Sequence, residues 1–176
     1  MRREPLDQLK EFITKESISF PEIQFDGRKV QFTTSGLNSN SFWMLFGIGL
    51  SIALMIKYIL LVGLILFGFG FYGLWYDLEV ANNFVIDFDS KHCVLHRKNP
   101  FRVLFFFMRK EITFPISDIA SFSYRSSRHS SDMRRYRFYV FLKDGTEYLF
   151  SDIKSEDHAR EIVKYLNNAI WQKLSF

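Results

Sequence analysis

The chain has 176 residues, a formal net charge of +4 and a single cysteine, Cys93. That length leaves room for one ordinary domain beside any membrane segment. One cysteine excludes an intrachain disulfide framework and suits a reducing compartment. The 21 phenylalanines need a dense core or lipid to cover them. The positive charge is local. Residues 96–137 hold ten basic side chains (Arg97, Lys98, Arg102, Arg109, Lys110, Arg125, Arg128, Arg134, Arg135 and Arg137) against three acidic ones. Such a cluster suits anionic lipid, nucleic acid or an acidic partner.

Leu6, Leu9 and Ile13 recur at helical spacing, which predicts a short amphipathic helix near the N-terminus. Two β-prone runs, ISFPEIQF and RKVQFTTSG, flank Asp26-Gly27. This predicts a hairpin, because a tight turn needs residues that accept positive φ. Residues 1–41 are therefore read as an N-terminal cytoplasmic segment made of a helix and a β-hairpin.

Residues 42–76 read FWMLFGIGLSIALMIKYILLVGLILFGFGFYGLWY and contain one charge, Lys57. One straight helix of this length would run about 52 Å, against a hydrocarbon core of roughly 30 Å. Splitting it near Lys57 predicts a transmembrane helical hairpin with that lysine at the far interface. A single tilted span with an interfacial stub is the other arrangement. The flanking cations Arg28, Lys29, Lys91, Arg97 and Lys98 place both termini in the cytoplasm. The expected location is thus integral to the cytoplasmic (inner) membrane. Gly49 with Ala53, and Gly63 with Gly70, are the candidate helix-packing residues, since small side chains let helix backbones approach closely. They would pack the two helices on each other or on another membrane protein.

In residues 77–176, strand signals fall at about 79–88, 92–98, 103–108, 111–114, 119–125, 136–142 and 146–150, with Lys143-Asp144-Gly145 as a second hairpin turn. A helix follows from Ser155 to about Gln172. Ser155 is its N-cap, and Ala159, Ile162, Val163, Leu166 and Ile170 form its apolar stripe.

The stretches NNFVIDFDSKHCVLHRK, EITFPISDIASFSY and YRFYVFLKDGTEYLF, with the closing helix, resemble bacterial PH-like domains attached to two N-terminal transmembrane helices. The layout is also similar to that of the photosystem I assembly factor of chloroplasts and cyanobacteria, apart from that factor's longer loop between the helices. The resemblance implies a membrane α-helical hairpin plus an α+β PH-like domain, an antiparallel β-barrel or sandwich capped by a C-terminal α-helix.

No residue pattern points to catalysis, a metal or a cofactor. His92 and His96 share one face of a strand but would sit about 13 Å apart, too far for one zinc ion. Ser126, Ser127, His129, Ser130, Ser131 and Asp132 include every residue type of a nucleophilic triad. However, triads converge from separate elements, and this run reads as a loop between strands. Residues 99–110, NPFRVLFFFMRK, form an apolar run bracketed by cations. They read as a buried strand with solvated ends or as an element pressed on anionic lipid. The expected function is a non-enzymatic protein-docking module, an accessory or assembly subunit of a membrane complex. The alternative is an anionic-lipid sensor acting through Arg97, Lys98, Arg102, Arg109 and Lys110, with all ten cations as candidate contacts for lipid or a partner. Expected partners are membrane lipids and another membrane protein or a homo-oligomer; nucleic acid is not expected, because no groove-reading motif accompanies the basic cluster.

Overall fold

A computed structural model describes residues 4–34, 39–57, 60–79, 82–98, 111–128 and 134–174. Helix α1 (Pro5–Lys15) is followed by strands β1 (Glu22–Asp26) and β2 (Lys29–Thr33). Their turn is Gly27-Arg28, one residue later than the Asp26-Gly27 turn expected. Asp26 pairs with Lys29, and only Gly27 takes the left-handed backbone, with φ +58°. A glycine at the first of two central positions is what a type II′ turn requires.

Two helices come next, α2 (Ser39–Lys57) and α3 (Leu60–Glu79). The chain then re-enters the same sheet as β3 (Asn82–Asp87), which pairs antiparallel with β2. Thr33 lies opposite Asn83, and the Thr34 N–H donates to the Asn82 carbonyl at 3.0 Å. The helical hairpin therefore occupies the place of a β-hairpin loop. Strands β4 (His92–Arg97) and β5 (Glu111–Pro115) complete a five-stranded meander, β1-β2-β3-β4-β5. A second sheet, β6 (Ile119–Arg128), β7 (Arg134–Leu142) and β8 (Glu147–Ile153), packs against the first. Helix α4 (Glu156–Leu174) closes the chain, with the Ser155 hydroxyl accepting the His158 N–H at 3.3 Å as its cap.

One apolar core joins the two sheets and the helices α1 and α4. Alternate residues of each strand point inward, so Phe32, Phe84, Phe138 and Phe150 are all buried. Phe84 and Phe150 bring their rings to 4.6 Å across the sheets. The stripe read on α4 is its buried face: Ala159, Ile162, Leu166 and Ile170 are covered, with Val163 half-buried. Leu9 and Ile13 of α1 are buried in the same core, and Phe12 packs its ring 5.8 Å from that of Tyr165.

The structure corrects two expectations. First, the β-barrel of a PH-like domain is not formed, because the two antiparallel sheets stay separate and do not close. Strand β5 ends in Pro115, which has no N–H to continue a ladder. The 3-10 turn Ile116–Asp118 then re-aims the chain into the second sheet. The architecture is an α+β sandwich. Second, the transmembrane hairpin, and with it the integral inner-membrane location, is not supported: among the described residues no helix is long and apolar enough to cross a membrane. Helix α2 begins with Ser39-Asn40-Ser41 and ends on Lys57, and α3 ends with Asp77-Leu78-Glu79. The apolar stretches between these ends, residues 42–56 and 60–76, run about 22 and 26 Å at 1.5 Å per residue, short of a roughly 30 Å hydrocarbon core. The strand expected at 103–108 lies outside the described residues.

Candidate functional site

The amino-acid pattern makes α2 and α3 apolar around most of their circumference, and among the described residues each packs chiefly on the other. Gly63 and Gly70 lie in that mutual interface. A Cβ at Gly63 would reach 2.9 Å from the Ser51 carbonyl oxygen and collide with Met55 Cγ. A Cβ at Gly70 would come 2.8 Å from Ile48 Cγ1. Leu74 is buried there between Met44 and Ile48, and the Ser51 hydroxyl bonds the Ile48 carbonyl at 2.6 Å. Gly49 and Ala53 are exposed and point away from this seam.

The outward faces remain uncovered. Every exposed large hydrophobic among the described residues lies on the hairpin, Trp171 excepted. The most open are Ile56 (80% exposed), Phe69 (73%) and Tyr72 (69%). On one side, Trp43, Gly47 and Leu50 of α2 and Leu66, Phe69 and Gly70 of α3 line a shallow apolar groove. Gly47 forms part of its floor, and a Cβ there would meet nothing within 4 Å. Contiguous exposed apolar surface of this kind marks contact sites for protein or lipid.

At the root of the hairpin, polar side chains are buried instead. Thr34, Asn82, Ser151 and Asp152 are each at most 4% exposed. The Thr34 and Ser151 hydroxyls bond at 2.8 Å, and Asn82 Nδ2 donates to the Leu149 carbonyl at 3.2 Å. Beside them Arg135 pairs with Asp152 at 3.1 Å. These bonds tie β2 and β3, the strands that carry the hairpin, to β8 of the second sheet. Sequence reading missed this joint. Thr34 and Ser151 are 117 positions apart, and nothing local in either neighbourhood distinguishes them from surface polar residues.

Five of the basic residues lie on the β6–β7 pair, where Arg125 stands opposite Arg137 and Arg128 opposite Arg134. Arg125 makes a bidentate pair with Glu147 at 3.2 and 2.8 Å, and stacks 5.0 Å over the Tyr139 ring. Arg135 is held by Asp152, Arg137 is half-buried and Arg134 exposed. Arg97 ends β4 opposite Asn82, at the end of the sheet from which the hairpin leaves, and Lys98 follows it. Arg102, Arg109 and Lys110 lie outside the described residues, as does the side chain of Arg128.

The candidate metal and triad residues do not converge where they are described. The His92 Nδ1 lies 2.6 Å from the Ser90 carbonyl, and the His96 Nδ1 lies 3.2 Å from Glu111. Ser126 and Ser127 sit in β6, while His129, Ser130, Ser131 and Asp132 fall outside the described residues. Cys93 is buried, and burial pushes its thiol far above the usual range, which removes the thiolate that nucleophilic chemistry needs. Two turns carry tuned carboxylates. Asp87 is held below its ordinary value chiefly by the Ser90 N–H and then the Asp89 N–H, and Asp144 by the Thr146 N–H. Both carboxylates cap turns, as their positions after a strand dictate.

No protein-family model and no curated protein matches this chain.

Proposed function

We propose that this chain is a non-catalytic docking module, an accessory or assembly subunit whose helical hairpin packs on the apolar helices of a partner while the sandwich sits against that partner's polar surface. The observation that carries this reading is the uncovered hairpin. Helices apolar all round are stable only when buried, and the sandwich leaves these two uncovered. The joint of Thr34, Ser151, Asn82 and Leu149 supports it further, because a bonded root fixes the direction in which the sandwich is presented.

The test compares the intact chain with one in which residues 35–81 are replaced by a four-residue Gly-Asn loop, both extracted in mild detergent. The intact chain is expected to purify in a stoichiometric complex and the shortened chain as a monomer. An intact chain that is monomeric and brings down nothing overturns the proposal.

A second reading has one observation in its favour: Arg97 and Lys98 stand at the hairpin root, where cations would meet anionic headgroups beside an apolar element. Flotation of the shortened chain with neutral and with 30% phosphatidylserine vesicles separates the two. Equal binding to both vesicle types removes the lipid-sensing reading.

A further inference from the structure

The two sides of the hairpin differ, and the difference names a partner. Along α2, Leu50 and Ile52 are about 200° apart at 100° per residue, so they occupy opposite sides. The Leu50 side carries the groove, which holds both a projecting ring, Phe69, and a floor made by glycines. A two-fold interface uses the same patch on both molecules, so that patch must contain its own knob and its own hole. This one does. It also carries no charge: from Phe42 to Ile56, and from Leu60 to Tyr76, the sequence has none, so the groove offers nothing to an acidic or basic ligand.

The area fits as well. A two-helix face about 28 Å long and roughly 20 Å wide projects on the order of 560 Å², and side-chain relief raises the accessible area toward the ~800 Å² per partner of a standard stable interface. We infer that the occupant of the groove is a second copy of this chain, the two hairpins forming a four-helix bundle in which Phe69 of each copy rests over Gly47 of the other. Close approach at Gly47 is open because no atom of its own chain fills the space above it. The inference rests on the docking reading and specifies its first partner. The opposite side, with Ile52, stays available for a different one.

Disulfide trapping in the full-length chain tests this, since the native Cys93 is buried and out of reach. Leu50→Cys is expected to form a linked dimer under mild oxidation at least ten times faster than Ile52→Cys. Adding Gly47→Leu to the Leu50→Cys chain fills the groove and slows linking at least tenfold. Adding Gly68→Leu, at another helical glycine with open space above it, leaves the rate unchanged and shows that the hairpin tolerates such a change. Equal linking at the two cysteines, or none at Leu50→Cys, overturns the second copy as occupant. If a different protein still co-purifies in stoichiometric amount, the docking reading survives that result; a lone monomer removes both.

Discussion

The sandwich and the hairpin solve opposite problems with the same kind of residue. In the sandwich, Phe84 is covered on all sides by Phe114, Phe122 and Phe150 from both sheets. In the hairpin, Phe69 is 73% exposed and meets only solvent or a partner. The first region is covered within the chain; the second leaves its outward faces uncovered. Both were read from apolar runs, but alternation with period two supplies one face to bury, whereas continuous apolarity supplies a surface that two helices alone cannot cover.

The largest effect follows from the way the two regions are joined. Because β2 pairs directly with β3, replacing residues 35–81 by a short loop is expected to leave a cooperatively folding sandwich while abolishing all association. Circular dichroism with thermal melting, alongside sedimentation, reads both halves of that statement. Loss of the β-sheet signal would show that the hairpin is part of the sandwich's stability. Cutting instead at residue 77 would strip α1, β1 and β2 from the sheet and leave Phe84 and Ile86 without Phe32 and Val30, so that fragment is expected to be unfolded.

A core substitution acts on the other side of the comparison. Phe84→Ala removes the ring at the centre of the cluster and is expected to cost about 3–5 kcal/mol in chemical denaturation of the shortened chain. Its effect on Leu50→Cys trapping in the full chain should be small under native conditions. Within the hairpin, Gly63→Ala drives a methyl into Met55 and the Ser51 carbonyl and is expected to cost about 1–3 kcal/mol. Gly68→Ala, with open space above it, should instead gain roughly 0.5–1 kcal/mol from reduced backbone freedom. Equal responses at the two glycines would refute the seam described for α2 and α3.

The smallest effect concerns pH. Asp87 and Asp144 have carboxyls held below the ordinary 3.8, so each stabilises the fold fully above that value. The contribution is lost as pH falls through the lowered folded value. Asp87→Asn is therefore expected to lower stability slightly at neutral pH and to flatten the acid limb of the sandwich's stability curve below about pH 4, where the protonated aspartate has lost its contribution. A loss at pH 3 as large as that at pH 7 would contradict the assignment of the shift to the Ser90 and Asp89 N–H bonds.

Local chemistry determined much of this protein in advance. The stripe of α4, the Ser155 cap and the Lys143–Gly145 turn follow from spacing, capping and positive-φ tolerance, because each depends on residues within one or two turns of chain. The sequence also marked residues 42–76 as apolar and Lys57 as their interruption. What it suggested beyond that, two membrane spans and a closed barrel, depended on lengths and pairings that only the fold could set. Polar and charged residues at their ends shorten the apolar part of each helix, and Pro115 with the turn after it separates the sheets. Tertiary structure alone decided that the hairpin replaces the β2–β3 loop. It alone brought Thr34 to Ser151 and separated the groove side of α2 from the Ile52 side. Contacts between distant segments arise from the packing of whole elements, and no local pattern of residue types encodes them.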